Sequence, residues 1–251
     1  MYYKLSIWIF FCLSARFVFS QSIRGTAEER VSIKFSTLCV GSGEFEGICY
    51  FVGPSKLSKP LDFSLIKRGG QYAYTGSRQI QFVRTISFPT TEDPQAVTYE
   101  LLAEASIPRG WQEVLFFFEA LDEKESSKNN GMPYKVHLME DSLESFPAGS
   151  LLVFNACGAP LVGSVGGQKD RYVGGPANPI NFIDQPKKAI HCTFILETSE
   201  GPKIIFENRL EYSQRYRVIL MLAPPRRKGS IRLEAYSIPQ FVEENSSVSI
   251  N

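Results

Sequence analysis

The sequence contains few of the residues on which common catalytic and metal sites depend. Two of its 251 residues are histidine, His137 and His191, and each lies in an alternating apolar segment that predicts a β-strand. Successive side chains of a strand point to opposite faces, so His191 and the adjacent Cys192 cannot bind one metal ion together. The sequence has no HExxH, CxxC or Gly-x-Ser-x-Gly motif. We therefore predict no catalytic residues, no metal ligands and no cofactor.

Charge of either sign is not in excess. The 27 lysine and arginine residues nearly balance the 26 aspartate and glutamate residues, which leaves a net charge of +1. A chain with this balance has no long-range field that would attract nucleic acid or an anionic membrane surface. We therefore expect no nucleic-acid partner.

Long hydrophobic runs are also missing. The longest, Leu5 to Leu13, follows Lys4 and has about half of the ~20 residues that a membrane-spanning helix needs. A short apolar run after a basic residue, followed by Val18-Phe19-Ser20, is typical of a secretory signal peptide and its cleavage site. We predict a signal peptide at 1–20 and export to the periplasm, the outer surface or the medium. The alternative is an uncleaved N-terminal anchor; the mature chain is expected to contain no transmembrane helix.

Cysteine is used sparingly, with five residues in the chain. Cys12 would leave with the signal peptide, so Cys39, Cys49, Cys157 and Cys192 would remain. An even number of cysteines in an oxidising compartment allows three disulfide pairings, among which the sequence does not choose. The alternative is that all four are small apolar residues buried within strands.

Helical periodicity of useful length is absent, and strand-like segments separated by turn signals fill the chain. Val114 to Ala120 (VLFFFEA) is apolar on both faces and predicts a central strand. An edge strand is expected around Leu61 to Ile66, and Asn130-Gly131 predicts a hairpin turn. The full set of predicted strands, which includes this central strand, is Val31 to Val40, Gly47 to Val52, Gln79 to Phe88, Ala96 to Ala105, Glu113 to Ala120, Tyr134 to Glu140, Ser150 to Ala156, Leu161 to Val165, Lys188 to Glu197, Lys203 to Tyr212, Tyr216 to Leu222 and Ser230 to Tyr236.

The two halves of the sequence begin and end alike. VSIKFSTLCVGSGEFEGICYFVG, from Val31, resembles SFPAGSLLVFNACGAPLVGSVGG at 145–167, and each half ends with an apolar strand, a polar turn and another strand. We therefore predict an all-β fold of two tandem antiparallel β-sandwich (immunoglobulin-like) domains. The predicted boundaries are 21–30 for a polar leader, 31–142 for the first domain, 143–149 for a linker, 150–242 for the second domain and 243–251 for a polar tail.

The run FPAGSLLVFNACGAPLVGSVGGQ, with the glycine-proline stretch and paired strands that follow it, resembles uncharacterised secreted bacterial proteins built from tandem β-sandwich repeats. The resemblance covers most of the predicted mature chain and is carried by turn and strand residues. It implies the fold and the export of the chain, and it implies no catalytic residue.

Aromatic side chains that stay partly exposed are the usual platform for binding sugars. Trp111 follows Arg109 and Gly110 and is the one tryptophan that would remain after cleavage, and Tyr72 and Tyr74 are spaced to share one face of a strand. We name Trp111, Tyr72, Tyr74 and Arg109 as candidate ligand-binding residues. The alternative for Trp111 is that its ring closes the hydrophobic core.

The function expected from these observations is that of a non-catalytic structural or interaction module of the cell envelope. Its partner would be another envelope protein or a polysaccharide. A first alternative is a glycan-binding module that uses Trp111 and loop aromatics. A second is a glycoside hydrolase, which needs two carboxyl groups roughly 5–9 Å apart. The acids considered for such a pair are Glu44, Glu46, Glu104, Glu113 and Glu119.

Overall fold

A computed structural model describes residues 29–54, 56–87, 97–183, 189–227 and 229–243. The predicted signal peptide, nearly all of the polar leader and nearly all of the polar tail lie outside these residues, as do the predicted strand ends at Phe88, Ala96 and Lys188. Within them the chain is all-β and forms several largely antiparallel sheets, which confirms the predicted fold class.

The first half of the chain forms two sheets of four strands each. Its strands are Arg30–Val40 (β1), Cys49–Gly53 (β2), Lys56–Leu57 (β3), Tyr72–Ser77 (β4), Gln79–Ser87 (β5), Thr98–Ser106 (β6), Glu113–Ala120 (β7) and Tyr134–Glu140 (β8). The order β3-β2-β5-β6 defines outer sheet 1, and the order β4-β1-β7-β8 defines inner sheet 1.

The second half has the same arrangement. Its strands are Ser150–Asn155 (β9), Leu161–Val165 (β10), Gln168–Tyr172 (β11), Gly175–Pro176 (β12), Ile180–Asn181 (β13), Ala189–Thr198 (β14), Gly201–Glu211 (β15), Tyr216–Ala223 (β16) and Glu234–Phe241 (β17). The order β11-β10-β14-β15 defines outer sheet 2, and β12-β9-β16-β17, with β13 also paired to β9, defines inner sheet 2.

Each inner sheet also contains one parallel pair, which the prediction of antiparallel sheets did not include. β1 runs parallel to β7, and β9 runs parallel to β16. Parallel neighbours need a crossover connection, and in each half the chain crosses to the outer sheet between these two strands.

β7 lies in the middle of inner sheet 1, as its sequence predicts. Val114, Phe116 and Phe118 pack in the apolar core between the two sheets of the first half, which we call the first core. Leu115 and Phe117 point to the opposite face and are also fully buried. Burial on both faces explains why the strand shows no alternation of apolar and polar residues.

The opposite face of inner sheet 1 packs on inner sheet 2 and forms an apolar core between the two halves, which we call the third core. Phe117 of β7 stacks on Phe154 of β9 with ring centres 4.4 Å apart. The buried members are Leu38, Val40, Leu115, Phe117, Met139, Phe146, Leu152, Phe154, Ile219, Met221 and Ile238. With the second core, between the sheets of the second half, the molecule is a stack of four sheets in the order outer 1, inner 1, inner 2, outer 2.

The connection predicted as the linker at 143–149 contributes to this stack. Phe146 is fully buried in the third core, and its backbone N–H donates to the Ser142 carbonyl over 2.9 Å. Full burial of a side chain of this size contributes about 1.5–3 kcal/mol. The connection is therefore held against both halves.

The predicted bounds of Glu113–Ala120, Tyr134–Glu140 and Leu161–Val165 match the structure. The edge strand expected at Leu61 to Ile66 is wrong. That segment is irregular and lies beside β1, where the Cys39 N–H donates to the Ser64 carbonyl. The edge strand in this part of the chain is β4. Two-residue strands such as β3 and β12 are too short for a sequence pattern to predict.

The last strand begins at Glu234 and not at Ser230. Leu233 N–H donates to the Ile205 carbonyl over 2.9 Å, so the residues before β17 follow the edge of β15 instead of pairing with β16. A backbone contact with a distant strand decides the boundary, and no local pattern shows it.

The connection between β7 and β8 contains a short helix, Glu123–Lys128 (α1), before the predicted turn. The Asp122 carboxylate caps the helix by accepting a hydrogen bond from the Glu125 N–H over 2.8 Å. Asn130 and Gly131 follow with φ of 55° and 79°, the positive values expected for this turn. In the described part of the chain, no helix is long and apolar enough to cross a membrane.

The four cysteines of the described chain are free thiols. Cys39, Cys49 and Cys192 are buried, and Cys157 is half-buried. Burial raises the pKa of the Cys157 and Cys192 thiols to about 12. Thiols of this kind are un-ionised at neutral pH and serve as small apolar residues.

Candidate functional site

A groove of about 370 Å³ lies where the two halves meet, beside the end of β7. The first half lines it with residues of β7, α1 and β8, and the second half lines it with the turns that follow β9 and β11. Grooves at such junctions are common positions for binding sites. The lining residues are Glu119, Leu121, Glu125, Lys128, Asn129, Lys135, His137, Asn155, Gly158, Gly174 and Gly175.

A histidine and a glutamate pair at the base of this groove. The antiparallel register of β7 and β8 places His137 opposite Phe117 and Lys135 opposite Glu119. His137 Nε2 lies 2.8 Å from Glu119 Oε2, with 11% of the histidine side chain and 28% of the glutamate side chain exposed. The hydrogen bond from His137 lowers the pKa of the Glu119 carboxyl, burial opposes this, and the charge of Lys135 adds a smaller lowering.

The imidazole of His137 is wedged between the two halves. Its ring meets the Phe154 ring edge to face, with centres 5.3 Å apart. On the other side, a Cβ atom added to Gly175 would come within 2.8 Å of His137 Nδ1. Gly175 also has φ of 98°, which side chains rarely adopt, so both space and backbone require glycine here. The histidine therefore closes one end of the third core.

Asn155 shapes the second wall of the groove. Its side chain is buried, and Nδ2 donates to the carbonyls of Ala159 and Tyr172, each over 2.9 Å. Its Oδ1 accepts from the Cys157 N–H over 2.9 Å. These three bonds fold the turn after β9 toward the groove.

The pair formed by His137 and Glu119 is surrounded by three exposed charged residues, Glu125, Lys128 and Lys135. Within the part of the chain that the structure describes, none of the three forms an ion pair. Side chains of both signs are thus free to contact a polar partner. The arrangement can donate and accept hydrogen bonds at once.

A second polar cluster closes the opposite end of the third core. The backbone N–H of Asp141 donates to the Glu113 carbonyl. Glu113 is six residues from Glu119 along β7, so this cluster lies roughly 20 Å from the groove. Arg217 of β16 is 4% exposed and reaches across the junction. Its Nη1 donates to the Asp141 carbonyl over 2.8 Å and to the Phe146 carbonyl over 3.0 Å.

The carboxylate of Asp141 lies between two arginines. Arg68 Nη1 pairs with one oxygen, and Arg217 Nη2 lies 3.1 Å from the other, close enough for charge attraction though without hydrogen-bond geometry. Arg217 Nε also donates to Gln240 Oε1 over 2.8 Å. Burial lowers the pKa of the Arg217 guanidinium, and the charge of Asp141 opposes this effect.

The aromatic residues proposed for sugar binding lie in another part of the molecule. Tyr74 is 7% exposed in the first core, and its hydroxyl donates to the Ser77 carbonyl over 2.8 Å. Tyr72 is half-buried with its ring 5.3 Å from that of Phe35, and its hydroxyl accepts from the Asp62 N–H over 2.7 Å. The two tyrosines share one face as predicted, but that face points into the core.

Trp111 and Arg109 do not line the groove either. The Trp111 side chain is half-buried against the first core. The Arg109 side chain is 78% exposed, with Nε 3.0 Å from Glu29 Oε2. The structure therefore does not bring the four predicted residues together with His137.

Two of the acids considered for a carboxylate pair lie at opposite ends of one strand. Glu113 and Glu119 are about 20 Å apart along β7, beyond the roughly 5–9 Å that glycoside hydrolysis needs. Glu104 accepts hydrogen bonds from Gln79 and Gln81. The second carboxylate lining the groove is Glu125, which the sequence analysis did not name because it lies in a polar connection.

In the described ranges, no group of three or more histidine, cysteine or acidic side chains is placed to hold a metal ion. Comparison of the chain with models of known protein families and with curated proteins finds no match. Its function is therefore inferred from its own residues.

Proposed function

We propose that the chain is an exported, non-catalytic interaction module of the cell envelope. Two copies of one β-sandwich unit form a rigid stack, and the groove at their junction receives a segment of an envelope protein or a polysaccharide. The observation that carries this proposal is the third core, which joins the two halves through apolar side chains and the Arg217 cluster.

The tandem arrangement is supported by strand order. β3-β2-β5-β6 and β4-β1-β7-β8 in the first half have counterparts of the same order in the second, including the parallel pair. Both halves use the same kind of sheet for the contact between them. A duplicated unit accounts for this correspondence with one topology.

A binding role fits the groove better than catalysis does. His137 has most of its surface covered by Glu119, Phe154 and Gly175, so its imidazole supports packing between the halves. The charges that face solvent, those of Lys128, Lys135 and Glu125, are suited to holding a polar partner. General acid-base catalysis would need the imidazole to reach a substrate proton.

Photo-crosslinking tests the proposed groove. A photoreactive amino acid at Lys135, which lines the groove, is expected to capture an envelope component when the full chain is expressed in its host. The matched control is Lys124, exposed on the same short helix as Lys128 but outside the groove lining. Equal capture from both positions, or capture of cytosolic proteins alone, would contradict the proposal.

Export and lack of catalysis have separate tests. N-terminal sequencing of the protein from its host is expected to begin at Gln21, and an intact Met1 in the cytosol would contradict export. The purified chain is expected to leave a panel of glycosides, esters and peptides unchanged. Turnover that disappears in Glu119→Gln, with the fold retained, would contradict a purely binding role.

Stacking of a sugar on Trp111 remains the alternative, and fluorescence separates it from the groove. Because its ring packs against the first core, we expect Trp111 emission to stay unchanged when polysaccharides are added. A saturable change in emission that disappears in Arg109→Ala would favour the alternative.

A further inference from the structure

The two halves of the molecule differ along one side of their sandwiches. In the first half, the edge strands β6 and β8 pack against each other, and their core-facing side chains Leu102, Ala105 and Tyr134 are buried. The corresponding edge strands of the second half, β15 and β17, make no comparable contact within the described residues. The second core is therefore open to solvent along this side.

A cleft of about 470 Å³ lies on the open side, within the roughly 300–1,000 Å³ of typical ligand sites. Val218 and Pro239, which pair across β16 and β17, line it. The next pair on the same face is Leu220 with Ser237, and Leu220 belongs to the second core. The cleft therefore continues the space between inner sheet 2 and outer sheet 2.

The most exposed aromatic rings of the described chain are found at this cleft. Tyr216 is 38% exposed and Phe241 is 51% exposed, and no other tyrosine, phenylalanine or tryptophan in the described ranges reaches these values. The two residues pair directly across β16 and β17, and their rings meet edge to face with centres 5.5 Å apart. The half-buried ring of Tyr212 lines the cleft from the end of β15. Together the rings form an apolar platform that remains in contact with water.

Backbone hydrogen bonds hold the platform in place. The Tyr216 carbonyl accepts from the Gly149 N–H over 2.8 Å. Just beyond Phe241, the Val242 N–H donates to the Arg215 carbonyl over 2.9 Å, so β16 and β17 stay paired past the two rings. A ligand therefore meets rings on an ordered backbone and pays little to order them.

Polar side chains line the same cleft. Ser213 and Ser237 carry hydroxyl groups, and Glu211 carries an exposed carboxylate that forms no ion pair within the described residues. Hydroxyl groups donate and accept hydrogen bonds, whereas a carboxylate accepts them. Aromatic rings beside such groups suit a ligand with apolar C–H faces and many hydroxyls, which is the chemistry of a sugar. The negative charge of Glu211 disfavours an anionic sugar.

We propose that this cleft binds a neutral glycan, with sugar rings stacked on Tyr216 and Phe241 and sugar hydroxyls bonded to the three polar side chains. The site is separate from the groove beside His137, and the proposal does not depend on that groove. It also does not involve Trp111, which packs against the first core. The two halves share one topology, and the site lies in the half whose edge strands stay apart.

Isothermal titration calorimetry of the purified chain with hexasaccharides of glucose, xylose, mannose and N-acetylglucosamine tests this site. At least one hexasaccharide is expected to bind. Phe241→Leu and Tyr216→Leu keep an apolar side chain but lose the ring, and each is expected to weaken that binding about tenfold. Phe241→Tyr retains the ring and is expected to bind as the wild type does.

Tyr99→Leu is the matched control. Tyr99 meets Phe51 edge to face with the same 5.5 Å between ring centres, but this pair lies in the first half. Tyr99→Leu is expected to bind as the wild type does, and so is Lys135→Ala, which alters the groove beside His137 and leaves the cleft intact. Added salt is expected to leave the affinity unchanged because the ligand is uncharged. Circular dichroism verifies that each variant folds.

Failure of all four hexasaccharides to bind would overturn the proposal, as would equal losses of affinity in Tyr99→Leu and Phe241→Leu. Light scattering without added sugar checks for a different occupant. The wild type is expected to have the mass of one copy. A larger mass that returns to one copy in Phe241→Leu would assign the cleft to a second copy of the chain and would also overturn the proposal.

Discussion

The two ends of the third core are closed by polar clusters of different kinds. At one end, Arg217 of the second half is 4% exposed and bonded to the backbone carbonyls of Asp141 and Phe146, which precede that half. At the other, Glu119 is 28% exposed beside a groove. The first cluster is enclosed and the second faces solvent. The comparison indicates that one end fixes how the halves pack, while the other is available to a partner.

Burial decides the energetics of the two clusters. A buried charge that loses its partner costs about 3–5 kcal/mol, because the remaining charge cannot be solvated. A charge-assisted hydrogen bond near the surface contributes about 1.5–3 kcal/mol at most and is weakened by exposure to water. The enclosed end is therefore expected to be the more sensitive to substitution.

Removal of Arg217 is expected to have the largest effect. Arg217→Ala takes away the bonds to the Asp141 and Phe146 carbonyls and one of the two cations beside the Asp141 carboxylate. We expect the free energy of unfolding, measured with urea, to fall by about 3 kcal/mol. Arg217→Met retains the apolar stem and separates lost charge from lost packing.

Arg215→Ala is the matched control, because Arg215 is exposed in the turn just before β16. It is expected to change the free energy of unfolding by less than about 0.5 kcal/mol. If Arg217→Ala and Arg215→Ala behaved alike, the enclosed cluster would not hold the halves together.

Substitution of Gly175 is expected to have the second largest effect, at the groove end. A side chain at this position meets His137 Nδ1 and must adopt φ of 98°. We expect Gly175→Ala to lower the free energy of unfolding by about 1–3 kcal/mol. Gly174→Ala is the control, because a Cβ atom there meets no atom within 4 Å. Equal effects of the two substitutions would show that His137 is not wedged against Gly175.

Local patterns in the sequence predict most strands and fail at the contacts that define the groove. The sequence of β7 predicts a central strand because its residues are apolar on both faces. Nothing in that sequence indicates that the Phe154 ring stacks on Phe117. His137 resembles any strand residue, and its role depends on Glu119, 18 residues earlier, and on Gly175, 38 residues later. Such pairs depend on strand register and on packing between distant segments.

The sequence around Arg217 contains a signal that could have predicted a buried charge with a partner. Arg217 lies inside the predicted strand Tyr216 to Leu222, between apolar residues, and a charge in a buried strand requires a partner. The sequence analysis did not name Arg217 as a candidate residue. The identity of the partner, Asp141, becomes visible only when the two inner sheets are placed together.

The smallest expected effect is the pH dependence of the groove end. The pKa of Glu119 is lowered in the folded chain, mainly by the hydrogen bond from His137. The stability that this bond supplies is therefore present above the ordinary carboxyl pKa of 4.5 and is lost as pH falls through the lower folded value. Glu119→Gln is expected to lower the free energy of unfolding by about 1 kcal/mol at neutral pH, with a smaller difference from the wild type in acid.

The control is Glu207→Gln, since His191 and Glu207 are 3.2 Å apart with 55% of each side chain exposed, and about 0.5 kcal/mol or less is expected there. If the Glu119→Gln difference were the same at every pH, the carboxylate would not be paired with His137, and the contrast between the two ends would rest on Arg217 alone.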